Sequence, residues 1–65
     1  MKRYINIKER AWYSITDSKL HLIPIGAIIV YEEDTLNVYA YIDSVKYQLL
    51  LELLYSKSDN IIQIS

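Results

Sequence analysis

Sixty-five residues make at most one domain, and a chain this short buries only about 60% of the surface it exposes when unfolded, so its fold is marginal without a disulfide, a metal or a partner. The absence of cysteine removes disulfides, thiolate chemistry and sulfur-ligated zinc, and leaves association as the available support. A hydrophobic content of 52% at a net charge of −1 excludes a disordered segment, and a pI near 5.6 gives no general attraction to phosphate backbones.

Lys2, Arg3, Lys8 and Arg10 gather near the amino end, but the pattern that follows alternates instead of running apolar, so no signal peptide is readable and a cytoplasmic protein is the expectation. Tyr4 to Glu9 is predicted as the first strand, with Ile5 and Ile7 on one face. Ala11 to Ile15 and Leu20 to Ile23 are shorter strand-like pieces about an Asp17-Ser18-Lys19 turn. The apolar run from Leu22 to Val30 is interrupted by Pro24 and Gly26 and falls far short of the ~20 residues of a membrane-spanning helix. Gly26, the only glycine, then precedes a strand over Ala27 to Tyr31 whose consecutive apolar residues imply burial on both faces. Its expected role is a positive φ or a close approach at a corner. Glu32 to Thr35 joins this strand to the next in one of two registers, with Tyr31 opposite Leu36 or Val30 opposite Val38.

Leu36 to Ile42 carries the clearest strand pattern. Leu36, Val38, Ala40 and Ile42 share one face, and Asn37, Tyr39 and Tyr41 the other. A two-residue turn at Asp43-Ser44 pairs Ile42 with Val45, Ala40 with Tyr47 and Val38 with Leu49, while Tyr41 meets Lys46 and Tyr39 meets Gln48 on the second face. Leu50, Leu53 and Leu54 then fall on one side of a helical turn, and Asn60 leads into a last strand from Ile61 to Ile64.

The order is strand, long irregular hairpin, three-strand meander, helical turn and closing strand. HLIPIGAIIVYEE resembles the part of a small SH3-like barrel in which a glycine precedes the second strand, and YQLLLELLYSKSDNIIQI resembles its closing helical turn and last strand. Over residues 3 to 64 the chain resembles short SH3-like accessory proteins of bacteriophages and mobile elements of low-GC bacteria. The expected fold is therefore mainly β, a barrel of about five strands with one short helical turn near Leu50 to Leu54. The alternative is α+β, with Tyr47 to Tyr55 forming a helix on a small sheet. Signalling SH3 domains grip proline-rich peptides with a paired-tryptophan segment; here Trp12 stands alone in a different strand, so that activity is not implied.

Catalysis finds little to work with. His21 is the only histidine, which leaves no paired-imidazole metal site and no evident general acid–base couple. Glu32, Glu33 and Asp34 lack the spaced oxygen ligands and the glycine of a calcium loop and read as a solvated turn. Neither enzyme activity nor a cofactor is expected. The expected function is a non-catalytic protein-interaction module, an inhibitor or adaptor of phage or mobile-element type, with a nucleic-acid-binding barrel or a self-assembling subunit as alternatives. Its contact surface would be the second face of the central hairpin, Tyr39, Tyr41 and Lys46, joined by Ile28 in the first register or Tyr31 in the second. The partner would be a second copy or another protein, with no membrane involved.

Overall fold

Alternating apolar and polar residues produce strands that are half buried, and in this chain the strands join into one antiparallel sheet. The computed structural model describes residues 1–56 and 58–65. Among these, the strands are β1 (Lys2–Asn6), β2 (Arg10–Ser14), β3 (Lys19–Ile23), β4 (Ile28–Glu32), β5 (Asn37–Ile42), β6 (Val45–Leu49) and β7 (Ile61–Gln63), in the sheet order β3-β2-β6-β5-β4-β1-β7. A short helix, α1 (Glu52–Ser56), and a 3-10 turn over Ser58–Asn60 precede β7. The expected mainly β fold is present, but the sheet has seven strands and does not close into a barrel, because its edge strands β3 and β7 share no ladder. It curls instead. Near-equal extents of 26 × 26 × 24 Å mean that this sheet wraps around its own inner face, since a flat sheet of this many strands would be far wider than thick.

The inner face holds the core: Trp12, Ile23, Ala27, Ile29, Tyr31, Val38, Ala40, Leu49, Leu54 and Ile61. The β5–β6 hairpin pairs Ile42 with Val45, Ala40 with Tyr47 and Val38 with Leu49, as the alternation predicts. Asp43 and Ser44 both have positive φ, 51° and 67°, the backbone of a type I′ turn whose twist matches its strands. The β4–β5 connection follows neither predicted register. Tyr31 lies opposite Val38 and Glu32 opposite Asn37, so the loop is Glu33 to Leu36. Leu36, at φ 59°, makes the reversal that no glycine marks. At the carboxyl end β6 runs through to Leu49, held by Thr16 Oγ1 accepting from the Gln48 N–H at 2.8 Å and by the Tyr13 carbonyl accepting from the Leu50 N–H at 3.1 Å. The alternative helix from Tyr47 to Tyr55 is thereby overturned, and the helical turn starts at Glu52. Leu54 is buried under it, whereas the side chain of Leu53 lies outside the described residues.

β1 ends at Asn6, earlier than the alternation to Glu9 suggests, and the fully buried residue is Asn6 rather than Ile5 or Ile7. Its side-chain amide donates to the carbonyls of Ile23 and Pro24, both at 3.0 Å. Its main chain accepts from the Gly26 N–H at 2.7 Å and donates to the Ala27 carbonyl at 2.9 Å. Gly26 reaches this position at φ +91°, with nothing within 4 Å of where a Cβ would stand, so the glycine serves the backbone angle and not close packing.

Two substitutions should move stability in opposite directions. Asn6→Ala strips the Ile23 and Pro24 carbonyls of their donor and should cost about 2–4 kcal/mol, a large part of the stability of so small a domain, read as a lower urea midpoint. Ser44→Gly relieves a left-handed residue and should gain about 1 kcal/mol, raising the melting temperature by about 4–8 °C.

Candidate functional site

The outer face of the sheet is apolar across several strands. The register sets Ile62 beside Ile5 and Ile5 beside Ile28 in one row, with Arg3, Val30, Tyr39 and Gln48 in successive strands of the next. Tyr41 faces Lys46 in the first of these rows. Ile5, Ile28, Val30 and Tyr39 are half-buried, and Tyr41 and Ile62 are exposed. The Lys46 Nζ rests over the Tyr39 ring, 4.0 Å from its centroid, so the cation is held against the aromatic surface by the ring's negative face. Gln48 Nε2 donates to Asn37 Oδ1 at 2.9 Å and closes one margin.

Tyr39, Tyr41, Lys46 and Ile28 are thus brought together on one face, as the hairpin pattern suggests. Tyr31 is not among them. With Glu32 opposite Asn37, Tyr31 falls on the inner face and is only 7% exposed. Arg3, Ile5 and Ile62, which extend the outer face, were not anticipated. They belong to β1 and β7, whose neighbourhood follows from tertiary pairing and leaves no local signal in either segment.

Tyr31 instead lines a cavity of about 460 Å³ between β1, β4, β7 and α1, where Lys2, Tyr4, Glu33 and Tyr55 also contribute. Its hydroxyl lies 3.2 Å from that of Tyr55. This hydrogen bond, reinforced by burial and by the nearby Tyr55 and Glu33 charges, pushes the Tyr31 phenol up to about 12. The Glu33 carboxylate lies 3.8 Å from both the Met1 ammonium and the Lys2 Nζ, so the acidic turn is partly neutralised by the start of the chain. The cavity therefore sets phenols, Gln63 and the paired Lys2 and Glu33 beside an apolar wall of Leu54 and Ile61.

The lone histidine has a structural setting. His21 Nε2 is 2.7 Å from Asp17 Oδ2, and its ring stacks on Tyr47 at 4.3 Å with a 39° tilt, fastening β3 to the turn before it and to β6. Burial pushes the Asp17 carboxyl up, but the hydrogen bond and charge of His21, with the Lys19 N–H, outweigh it and hold Asp17 below the usual range. No helix among the described residues is long and apolar enough to cross a membrane.

The Tyr31–Tyr55 pair should be visible in an ultraviolet titration of the phenols. One tyrosine is expected to ionise near 12, and Tyr55→Phe should bring that step down toward 10. Because the folded value lies above the unfolded one, the linked stability is complete below pH 10 and is lost as pH rises toward about 12. An unchanged highest step in Tyr55→Phe would break the assignment. Set against protein-family models, curated proteins and solved structures, the chain matches none of them, so its function has to be argued from these surfaces.

Proposed function

We propose that this chain is a small non-catalytic protein-interaction module, an adaptor or inhibitor of the phage or mobile-element kind, that engages a partner protein through its outer face. The observation that carries this reading is the row of Ile62, Ile5 and Ile28 running to Tyr41, beside Val30 and Tyr39, on a sheet whose inner face is already committed to the core. One small sheet can enclose one core, and an apolar surface of this extent on the opposite side calls for cover. Tyrosine suits such a surface, since its ring gives broad contact with few rotatable bonds and its hydroxyl remains wet before binding. Arg3 and Lys46 at the margins would orient an acidic partner without dominating the contact.

The SH3-like reading belongs to the same proposal. It is supported by the neighbour order β6-β5-β4-β1-β7, by the β2–β3 hairpin inserted after the first strand, and by the 3-10 turn that leads into the last.

The test uses the double variant Tyr39→Ser/Tyr41→Ser. It should keep its circular dichroism spectrum and lose, by at least about tenfold in affinity, the protein that wild type retains in pull-downs from the native host. The complex should persist from about 50 to 200 mM salt, where a phosphate-driven complex weakens steeply. Retention of the same partner by the double variant, or recovery of nucleic acid that salt removes, would overturn the reading.

A further inference from the structure

The sheet is open, and its two edges differ. β7 offers only Ile61–Gln63, whereas β3 offers Lys19–Ile23. Which backbone groups of β3 are free follows from the bonds two strands away. β2 meets β6 through the Ile15 N–H donating to the Gln48 carbonyl at 2.9 Å and the Leu50 N–H donating to the Tyr13 carbonyl at 3.1 Å. Tyr13 and Ile15 therefore direct their backbone groups to β6, and by strand alternation Arg10, Trp12 and Ser14 direct theirs to β3. Their partners are Ile23, His21 and Lys19. Leu20 and Leu22 are left with N–H and C=O pointing off the edge, and among the described residues neither takes part in any backbone bond outside the ladder. Their side chains are 67% and 59% exposed, on the same outer face.

We propose that β3 is a self-pairing edge that joins two copies of this chain, antiparallel about a two-fold axis through His21. The register is imposed by what brackets the strand. Ser18, at φ 59°, turns out of the extended conformation on one side, and Pro24 has no N–H to give on the other. The usable edge is thus Lys19–Ile23, and His21 is its centre. In this register Leu20 lies opposite the second copy's Leu22, and each such pair exchanges both of its N–H···O bonds. The leucines of both copies meet on the outer face, with apolar against apolar. Lys19 faces the second copy's Ile23, so no charge opposes its like. The two His21 side chains meet on the other face, each already carrying its own Asp17 at 2.7 Å.

The occupant is a second copy because the free groups of Leu20 and Leu22 and their exposed apolar side chains complement themselves under one operation, as a two-fold interface requires. A single five-residue edge buries less than the ~1,200 Å² of a tight complex, so the dimer dissociates at micromolar to millimolar concentration. It is independent of the proposed contact through Tyr39 and Tyr41, because β2 and β6 separate β3 from β5.

Sedimentation equilibrium of wild type from about 10 µM to 1 mM, spanning that range, is expected to show a reversible monomer–dimer equilibrium. Leu20→Lys/Leu22→Lys places lysine opposite lysine and should weaken it at least tenfold, to monomer throughout. The chain has no cysteine, so single cysteines report the register. His21→Cys puts two sulfurs on the axis, where Cα atoms of a non-hydrogen-bonded pair stand about 4.5 Å apart, within the span of a disulfide. With oxidised glutathione it should become a covalent dimer, whereas Lys19→Cys should not. Tyr39→Ser/Tyr41→Ser should dimerise as wild type does. A wild type monomeric at 1 mM overturns the proposal, as does cross-linking of His21→Cys no faster than Lys19→Cys, or a dimer abolished by the tyrosine variant. Should His21→Cys fail to fold, the lysine variant decides alone, and an undiminished dimer there overturns the proposal too.

Discussion

The fold depends on what the Asn6 side-chain N–H groups reach, while its Oδ1 has no hydrogen-bond partner among the described residues. In a closed barrel the first and last strands of the sheet are joined by a ladder, and here β3 and β7 are not. The Asn6 side chain supplies the connection instead, reaching from β1, next to the β7 edge, to the carbonyls of Ile23 and Pro24, where β3 ends. The link after Pro24 then returns along the Asn6 backbone through Gly26 and Ala27. A buried polar side chain is a burden until its partners are in place, and here the Nδ2 donations offset part of that cost while fixing where the β3–β4 link lies. This tie holds the end of β3 near β1 in the curled sheet that encloses Trp12, Ile29 and Val38.

What could be read from the sequence follows from which signals are local. The β5–β6 hairpin was legible because its two faces alternate independently and a polar pair stands where a type I′ turn must form. The β4–β5 register was not, because its reversal is made by Leu36 in a conformation that leucine seldom adopts, and nothing in the residue type announces it. The displacement is by two residues from the first predicted register and so keeps its facing, with Tyr31 on the core face and Ile28 beside Tyr39 and Tyr41, and excludes the facing of the second. Asn6 was equally opaque. Polar residues in an alternating strand read as solvent-facing, and only the carbonyls awaiting it reverse that reading. The outer face was legible in its central strands and silent at β1 and β7, which meet only when the whole sheet is assembled.

Trp12 shows how the small core is completed from a hairpin that could have remained outside it. Its ring is fully buried, its Nε1 donates to the Leu50 carbonyl at 3.1 Å, and the Arg10 guanidinium lies 4.0 Å from the ring centroid. Arg10 gives up water for this position: burial lowers its affinity for the proton, the Asp59 charge partly restores it, and among the described residues its Nε and Nη2 find no hydrogen-bond partner. The ring face is the compensation that the geometry provides. Trp12 and Arg10 together join β2 to the start of the helical turn, so the hairpin contributes core and leaves its leucines outside.

The position of β1 has a consequence in time. It pairs with β4 on one side and β7 on the other, and Arg3 exchanges main-chain bonds with Ile64 and Ser65. The β2–β3 and β5–β6 hairpins close over short loops and can form while the rest of the chain is still unordered. β1 cannot, because its partners β4 and β7 lie far away along the chain and the loops that bring them to it are long. The Asn6 amide therefore stays unclaimed until these distant segments meet, and the tie between β1 and the end of β3 forms only with them.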